Sequence, residues 1–211
     1  MKRVINLDNW NRKEHFKFFS ALDDPFWGIT MTVDFTSIYQ QSKNMEVSFF
    51  LYSVHFLLKC INATTAFKLR IENGEVVEYD KINISPTIGS EDGTFGFGFF
   101  EYDTDLSLFI ENAEKEIHRV KNSTGLSFSK DTARADVIRY SALPWFAFSE
   151  MKHAGSIQTG DSIPKISIGK LIQEKKKLLL PISISVHHGL VDGRNVAEFI
   201  QNVKDGQNNT L

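Results

Sequence analysis

Apolar positions recur along the chain in two periods, one helical and one of two residues. Asp8 stands as an N-cap before a helix predicted over 9–22, which Asp23-Asp24-Pro25 ends. Residues 26–35 are aromatic and β-branched and predict a strand. Residues 47–61 are strongly apolar over a length that predicts a core helix. The runs 67–71 and 76–79 flank Glu72-Asn73-Gly74-Glu75, and Asn-Gly between two β-prone runs predicts a hairpin. The glycine-rich aromatic stretch 94–102 predicts a strand, 106–120 has helical spacing, and 137–141, 165–169 and 178–188 predict further strands. Residues 191–203 predict the last helix. Hairpins come early and paired strands late, with helices interspersed irregularly. That order predicts an α/β fold, a two-layer sandwich in which helices cover a mixed sheet.

No repeat, low-complexity tract or Pro/Gly/Ser linker divides the 211 residues, so a single domain over 1–211 is expected. The 18 phenylalanines call for burial in a core, a pocket or a subunit interface. A formal net charge of -2 argues against nucleic acid as a partner, because phosphate binding needs a surplus of Lys and Arg. The longest basic run, Lys175-Lys176-Lys177, reads as a solvated turn. The single cysteine, Cys60, lies in an apolar stretch and cannot form an internal disulfide, which fits a buried structural thiol in a reducing compartment. The N-terminus has no apolar signal region, and no segment reaches the roughly 18 apolar residues that span a membrane. A cytoplasmic protein with no membrane partner is expected, so the sequon Asn62-Ala63-Thr64 carries no weight.

The chemistry concentrates in residues 181–193. Ile182, Ile184 and Val186 share one strand face, and Ser183, Ser185 and His187 the other. If the strand stays regular, His188 points with the apolar set, where loss of water favours the neutral imidazole that a general base needs. Asp192 follows four residues later. It can orient His188 directly, or pin the turn by pairing with a distant cation. Gly189 and Gly193 offer positive φ and close backbone approach. The plain alternative is a core histidine at a strand end beside an Asx turn. A metal site from His187, His188 and Asp192 is disfavoured, since adjacent strand residues point apart; no metal is expected. There is no Gly-x-Ser-x-Gly elbow for a serine nucleophile, and Gly96-Phe97-Gly98 lacks the context of a phosphate loop.

The segment from His187 to Gly193 resembles the catalytic segment of the chloramphenicol acetyltransferase family. The preceding Leu178-Leu179-Leu180-Pro181-Ile182-Ser183, the early Asn11-Arg12-Lys13-Glu14-His15-Phe16, and Ser141-Ala142-Leu143-Pro144-Trp145 match the family too, in order and approximate spacing. The shorter His-x-x-x-Asp-Gly motif also occurs in the acyltransferase cores of 2-oxoacid dehydrogenase complexes. The resemblance implies a fold of the CoA-dependent acyltransferase type and a homotrimer with active sites at subunit interfaces. It implies acetyl-CoA as cosubstrate, with no bound cofactor, a small-molecule acceptor, and direct transfer without an acyl-enzyme. With chloramphenicol as acceptor it implies antibiotic resistance. Residue by residue, it makes His188 the general base, puts Ser141 beside the developing oxyanion, and makes Asp192 a structural partner of Arg12. It lets Ser167, where the family usually has Thr, support the intermediate through water. Phe95 and Phe128 match aromatic positions that line the acceptor pocket.

The departures lie around the acceptor. The family usually has Gln at Ser185, Ser or Ala at Gly189, an aromatic at Arg194 and His at Asn195. Asp23 and Pro25 replace small or apolar residues near the acceptor pocket, and His153 falls where an apolar residue is usual. Asp23 and His153 therefore join the expected acceptor-binding set, as polar intrusions. Two alternatives stand beside chloramphenicol O-acetylation: the same chemistry on another hydroxyl or thiol, and a non-catalytic trimeric binding protein of the same fold.

Overall fold

A computed structural model describes residues 1–155 and 160–208. In chain order its elements are β1 (Lys2–Val4), a 3-10 turn (Leu7–Asn9), α1 (Lys13–Ser20), β2 (Phe26–Asp34), α2 (Thr36–Asn44), α3 (Phe49–Ala63), a second 3-10 turn (Thr65–Lys68), β3 (Leu69–Glu72), β4 (Glu75–Tyr79), β5 (Asn83–Gly89), β6 (Phe95–Phe97), α4 (Leu106–Lys121), β7 (Val137–Ala142), β8 (Lys165–Ile168), β9 (Ile172–Glu174), β10 (Lys177–His187) and α5 (Gly193–Asn208).

The main sheet has the order β2-β10-β8-β7-β5-β6, with β9 added to β10. Its β7 pairs parallel with β5 and β8, and the other neighbours are antiparallel. This is the expected mixed sheet. One face is continuous and apolar: Ile182 pairs with Ile168, Ile184 with Ile166, and Ile138 with Ile84. Onto this face pack α3 and α5, which also pack on each other, and Phe67 of the second 3-10 turn lies 5.0 Å from Phe199 of α5. The helical layer covers this face alone, because the opposite face carries Arg139, Ser141, Lys165, Ser167, Ser183 and Ser185.

The predicted hairpin forms as β3 and β4. Asn73 and Gly74 have φ of 51° and 82°, the left-handed pair that a two-residue turn between right-twisted strands requires. It does not join the main sheet but pairs with β1 as a separate three-stranded sheet. Arg70 of this hairpin is fully buried and donates to the carbonyls of Phe67, Leu69, Ala135 and Val137, tying the small sheet to the strand β7 of the large one.

Several expectations are corrected. The helix predicted over 9–22 is a 3-10 turn followed by α1; Asn6, not Asp8, caps the turn, and Asp8 pairs with Lys13 at 2.6 Å. Of the strand predicted over 94–102, three residues pair; the rest curls, with Phe100 bridging to Ile84. The polar helix α2 and the strands β1, β5 and β9 had no predicted counterpart. Within β5 lies Pro86, a residue that argues against a central strand; its carbonyl is used by Gly98 N at 2.9 Å.

Candidate active site

The strand β10 carries its regular pairing to His187, which stands opposite Phe26 of β2. One more bond continues that register, from His188 N–H to Pro25 O at 2.8 Å. The chain then turns, and Leu190 and Val191 N–H both return to His187 O. His188 thus keeps the strand's parity, and its ring lies on the side of Trp27, the register partner of Val186, with the apolar set as expected. His188 is half-buried, and its orientation comes from aromatic packing: its ring stacks on Phe19 at 3.9 Å and 14°, with Trp27 at 5.4 Å. Trp27 is itself held by its indole N–H donating to Val191 O at 2.9 Å. Nδ1 of His188 is sealed from solvent and has no hydrogen-bond partner among the described residues.

His187 is the more deeply buried of the two histidines, at 4% exposure. Burial drives it down to about 4; Asp161 opposes that, and the neighbouring His188 adds to it. The neutral His187 ring accepts Gly189 N–H at Nδ1, 3.2 Å away. Neither Gly189 nor Gly193 has positive φ, contrary to expectation. Gly189 instead sits in a tight space. A Cβ there would lie 3.0 Å from His187 Cε1 and 3.2 Å from the backbone of Phe16.

Arg12, just before α1, spans the ends of the turn after His188. One guanidinium nitrogen bonds a carboxylate oxygen of Asp192, and Nη2 donates to His188 O at 3.1 Å. The other Asp192 oxygen caps α5 by accepting from Arg194 N at 2.9 Å and Asn195 N at 3.2 Å. Asn195 returns the bond, accepting Asp192 N–H at 3.0 Å. Burial raises the Asp192 carboxyl, but the bonds from Arg12 and the backbone outweigh it and hold the group below the usual carboxylate range. Of the two roles open to Asp192 in the sequence, the geometry is that of pinning the turn.

Ser141 and Ser167 stand opposite each other on β7 and β8, and Ser183 of β10 and Thr30 of β2 continue the line. Thr87 of β5 begins it, donating to Ser141 Oγ at 3.2 Å. Five strands thus present a row of hydroxyls on the face away from the helices. His153 lies over the row, its Nε2 2.9 Å from Ser167 Oγ. Burial, then the charge of Lys165, lower the pKa of His153, so its ring is neutral at pH 7. Beside Thr87, Phe97 is its register partner, and Phe97 packs edge-on to Phe95 and stacked on Phe128. Phe95 and Phe128 are 47% and 71% exposed, large apolar surface at the Ser141 end of the sheet.

The expected residues thus fall into two groups. His188, Asp192 and Arg12 sit at one end of β10. Ser141, Ser167, His153, Phe95 and Phe128 surround the hydroxyl row. His188 lies five residues beyond Ser183 and two strands from Ser141, which is roughly 15–20 Å at ~3.3 Å per residue and ~4.8 Å per strand. A cleft of about 1090 Å³ is lined by Phe26, Trp27, His153, Lys165, Ser185 and His187 among others, but by neither His188 nor Ser141. Asp23 is exposed; its neighbours Asp24 and Pro25 line this cleft. Sequence reasoning missed Phe19, Trp27 and Thr87. Phe19 had a signal in its helical spacing from Phe16; Thr87 had none, because its strand was not foreseen. Among the described residues, no helix is long and apolar enough to cross a membrane, and no group of three His, Cys, Asp or Glu could hold a metal ion.

The family model for chloramphenicol acetyltransferase matches residues 2–204. Chloramphenicol acetyltransferase 3 of Escherichia coli is 27% identical over 208 residues, covering 98% of this chain and 97% of that protein. A chloramphenicol acetyltransferase of Clostridium perfringens is 28% identical over 205 residues, covering 95% and 96%. A solved chloramphenicol acetyltransferase superposes with a TM-score of 0.89 at 29% identity, covering 98% of this chain and 99% of the other. A probable dihydrolipoamide acetyltransferase of Listeria monocytogenes shares the fold, with a TM-score of 0.69 at 13% identity and coverage of 99% and 94%.

Proposed function

The chain belongs to the chloramphenicol acetyltransferase family, and on that premise we propose that it moves an acetyl group from acetyl-CoA to a hydroxyl of chloramphenicol, with His188 as general base. His188 takes the proton of the acceptor hydroxyl, and the freed oxygen attacks the thioester carbon. Negative charge gathers on the carbonyl oxygen, where the Ser141 O–H donates to it. The C–S bond then breaks, and the departing thiolate takes the proton back from the His188 imidazolium, giving the acetyl ester and CoA. The observation that carries this reading is the fixed His188 ring, clamped between Phe19 and the turn that Arg12 and Asp192 hold. With Nδ1 sealed, Nε2 is the nitrogen through which the ring meets a reactant.

The reading includes a homotrimer whose sites form between copies. Its support is the separation of His188 from Ser141: both can act on one reacting carbon only if one copy supplies the base and a neighbour the hydroxyl. The exposed Phe95 and Phe128 beside Ser141 suit such a junction. Ser167 supports the intermediate through water, and the whole of 1–211 acts as one acyltransferase domain. A cytoplasmic location, where acetyl-CoA is at hand, accords with the free thiol of Cys60.

A second reading keeps the chemistry and changes the acceptor to another alcohol or thiol. The His153–Ser167 hydrogen bond favours it, because it puts polar groups where an aromatic acceptor would prefer apolar contact. Incubation with acetyl-CoA and chloramphenicol, followed by free CoA, decides between them. Turnover with a micromolar to millimolar Michaelis constant supports the first reading. CoA release with other alcohols or thiols only selects the second, and none with a broad panel overturns both.

A further inference from the structure

Thr87 begins the hydroxyl row, flanked on β5 by the buried Pro86 and Ile88. Its hydroxyl donates to Ser141 Oγ at 3.2 Å. A serine hydroxyl has one proton to give and two lone pairs to receive with. The bond from Thr87 fills one lone pair and leaves the Ser141 proton uncommitted. Among the described residues, the Ser141 side chain has no other hydrogen-bond partner. The next hydroxyl in the row, Ser167, is engaged by His153 instead.

We infer that Thr87 is a positioning residue for acetyl transfer: it fixes the Ser141 side chain and keeps the Ser141 proton turned outward, toward the carbonyl oxygen of the bound thioester. The inference rests on the oxyanion role of Ser141. Without Thr87 the Ser141 hydroxyl rotates freely and must be oriented again in each transition state. A donated hydrogen bond also polarises the receiving hydroxyl and makes it a better donor. Both effects act when charge develops on the oxygen, so they bear on turnover and not on ground-state binding. A valine at 87 keeps the shape and removes only the hydroxyl.

The test is steady-state kinetics of the intact enzyme with acetyl-CoA and chloramphenicol. Thr87→Val is expected to lower kcat roughly five- to tenfold, the worth of one hydrogen bond, with both Michaelis constants and the melting temperature close to wild type. Thr87→Ser, which keeps the hydroxyl, retains kcat. In a Ser141→Ala background Thr87→Val changes nothing further, because the group it positions is gone. Should Thr87→Val fail to fold, Thr87→Ala carries the same comparison. The same loss in the Ser141→Ala background, a raised Michaelis constant at full kcat, or a Thr87→Ser variant as impaired as Thr87→Val overturns the inference. Ser141→Ala at full turnover sinks the oxyanion reading itself. A crippled Ser141→Ala beside a fully active Thr87→Val sinks only the role of Thr87.

Discussion

Arg12 and Asp192 meet across 180 residues of chain, and between them they hold the turn that begins at His188. The guanidinium divides its donors between the Asp192 carboxylate and His188 O, while the carboxylate divides its acceptors between Arg12 and the first turn of α5. With side-chain exposures of 16% and 33%, the pair is half-buried. Removing either partner is expected to lower stability by about 1–3 kcal/mol, between the values for exposed and buried pairs. Arg12→Lys should not restore it, because an ammonium lacks the fork that reaches both acceptors. Denaturant unfolding of the single and double variants measures the coupling; strictly additive losses would refute the clamp.

His188→Ala is expected to lose about 10²–10⁴-fold or more in kcat while acetyl-CoA binding persists. His187→Ala should act differently. It removes a buried ring that accepts Gly189 N–H and packs against Phe26, so its effect falls first on the melting temperature. If His187→Ala proves the more damaging to kcat at equal folded fraction, the base has been assigned to the wrong ring.

The separation of His188 from Ser141 makes a prediction about mixed oligomers. His188→Ala and Ser141→Ala are each expected to be nearly inactive alone. Unfolded together and refolded, they should regain a substantial part of wild-type activity, because some junctions then combine an intact His188 with an intact Ser141. Light scattering should give three chain masses. No recovery in a mixture shown to have exchanged subunits, or a monomer of 24.1 kDa in the assay, counts against the composite site.

Stability should fall on mild acidification. The folded-state pKa of His187 is lowered to about 4, against an ordinary value near 6.5. Between those two values the unfolded chain binds a proton that the folded one refuses, so stability is full above about pH 6.5 and declines as pH falls toward 4. Half-buried His153 is shifted in the same direction and adds to the slope. Unfolding curves at pH 7.5, 6 and 5 should show the decline, and His187→Gln should flatten it. An unchanged slope in that variant would locate the effect elsewhere.

Much of the fold was legible locally. The alternation along 178–188 predicted β10, and Asn73-Gly74 predicted a turn that needs two left-handed residues. The order of hairpins, helices and paired strands predicted the mixed sheet. These signals travel within a few residues, because strand period and turn chemistry are properties of the backbone and its nearest side chains. The resemblance carried by Arg12, Ser141, His188 and Asp192 likewise needs only residue identity and spacing, and so the family was legible too.

What the sequence could not decide was which elements meet. Pro86 hid β5, since proline disfavours a central strand until its neighbours show that its missing N–H goes unneeded. The polar α2 and the end of β10 at His187 gave no local sign. It is the contact of His188 N–H with Pro25 O, some 160 residues back along the chain, that keeps His188 in register beside Trp27, where Phe19 covers its ring. The hydroxyl row exists only because β5, β7, β8, β10 and β2 align in one register, and nothing within any one of those strands records its partner's offset. Residue chemistry and local periodicity are written along the chain. Registry between distant strands depends on how the whole apolar face closes against α3 and α5, and that was settled by the tertiary structure.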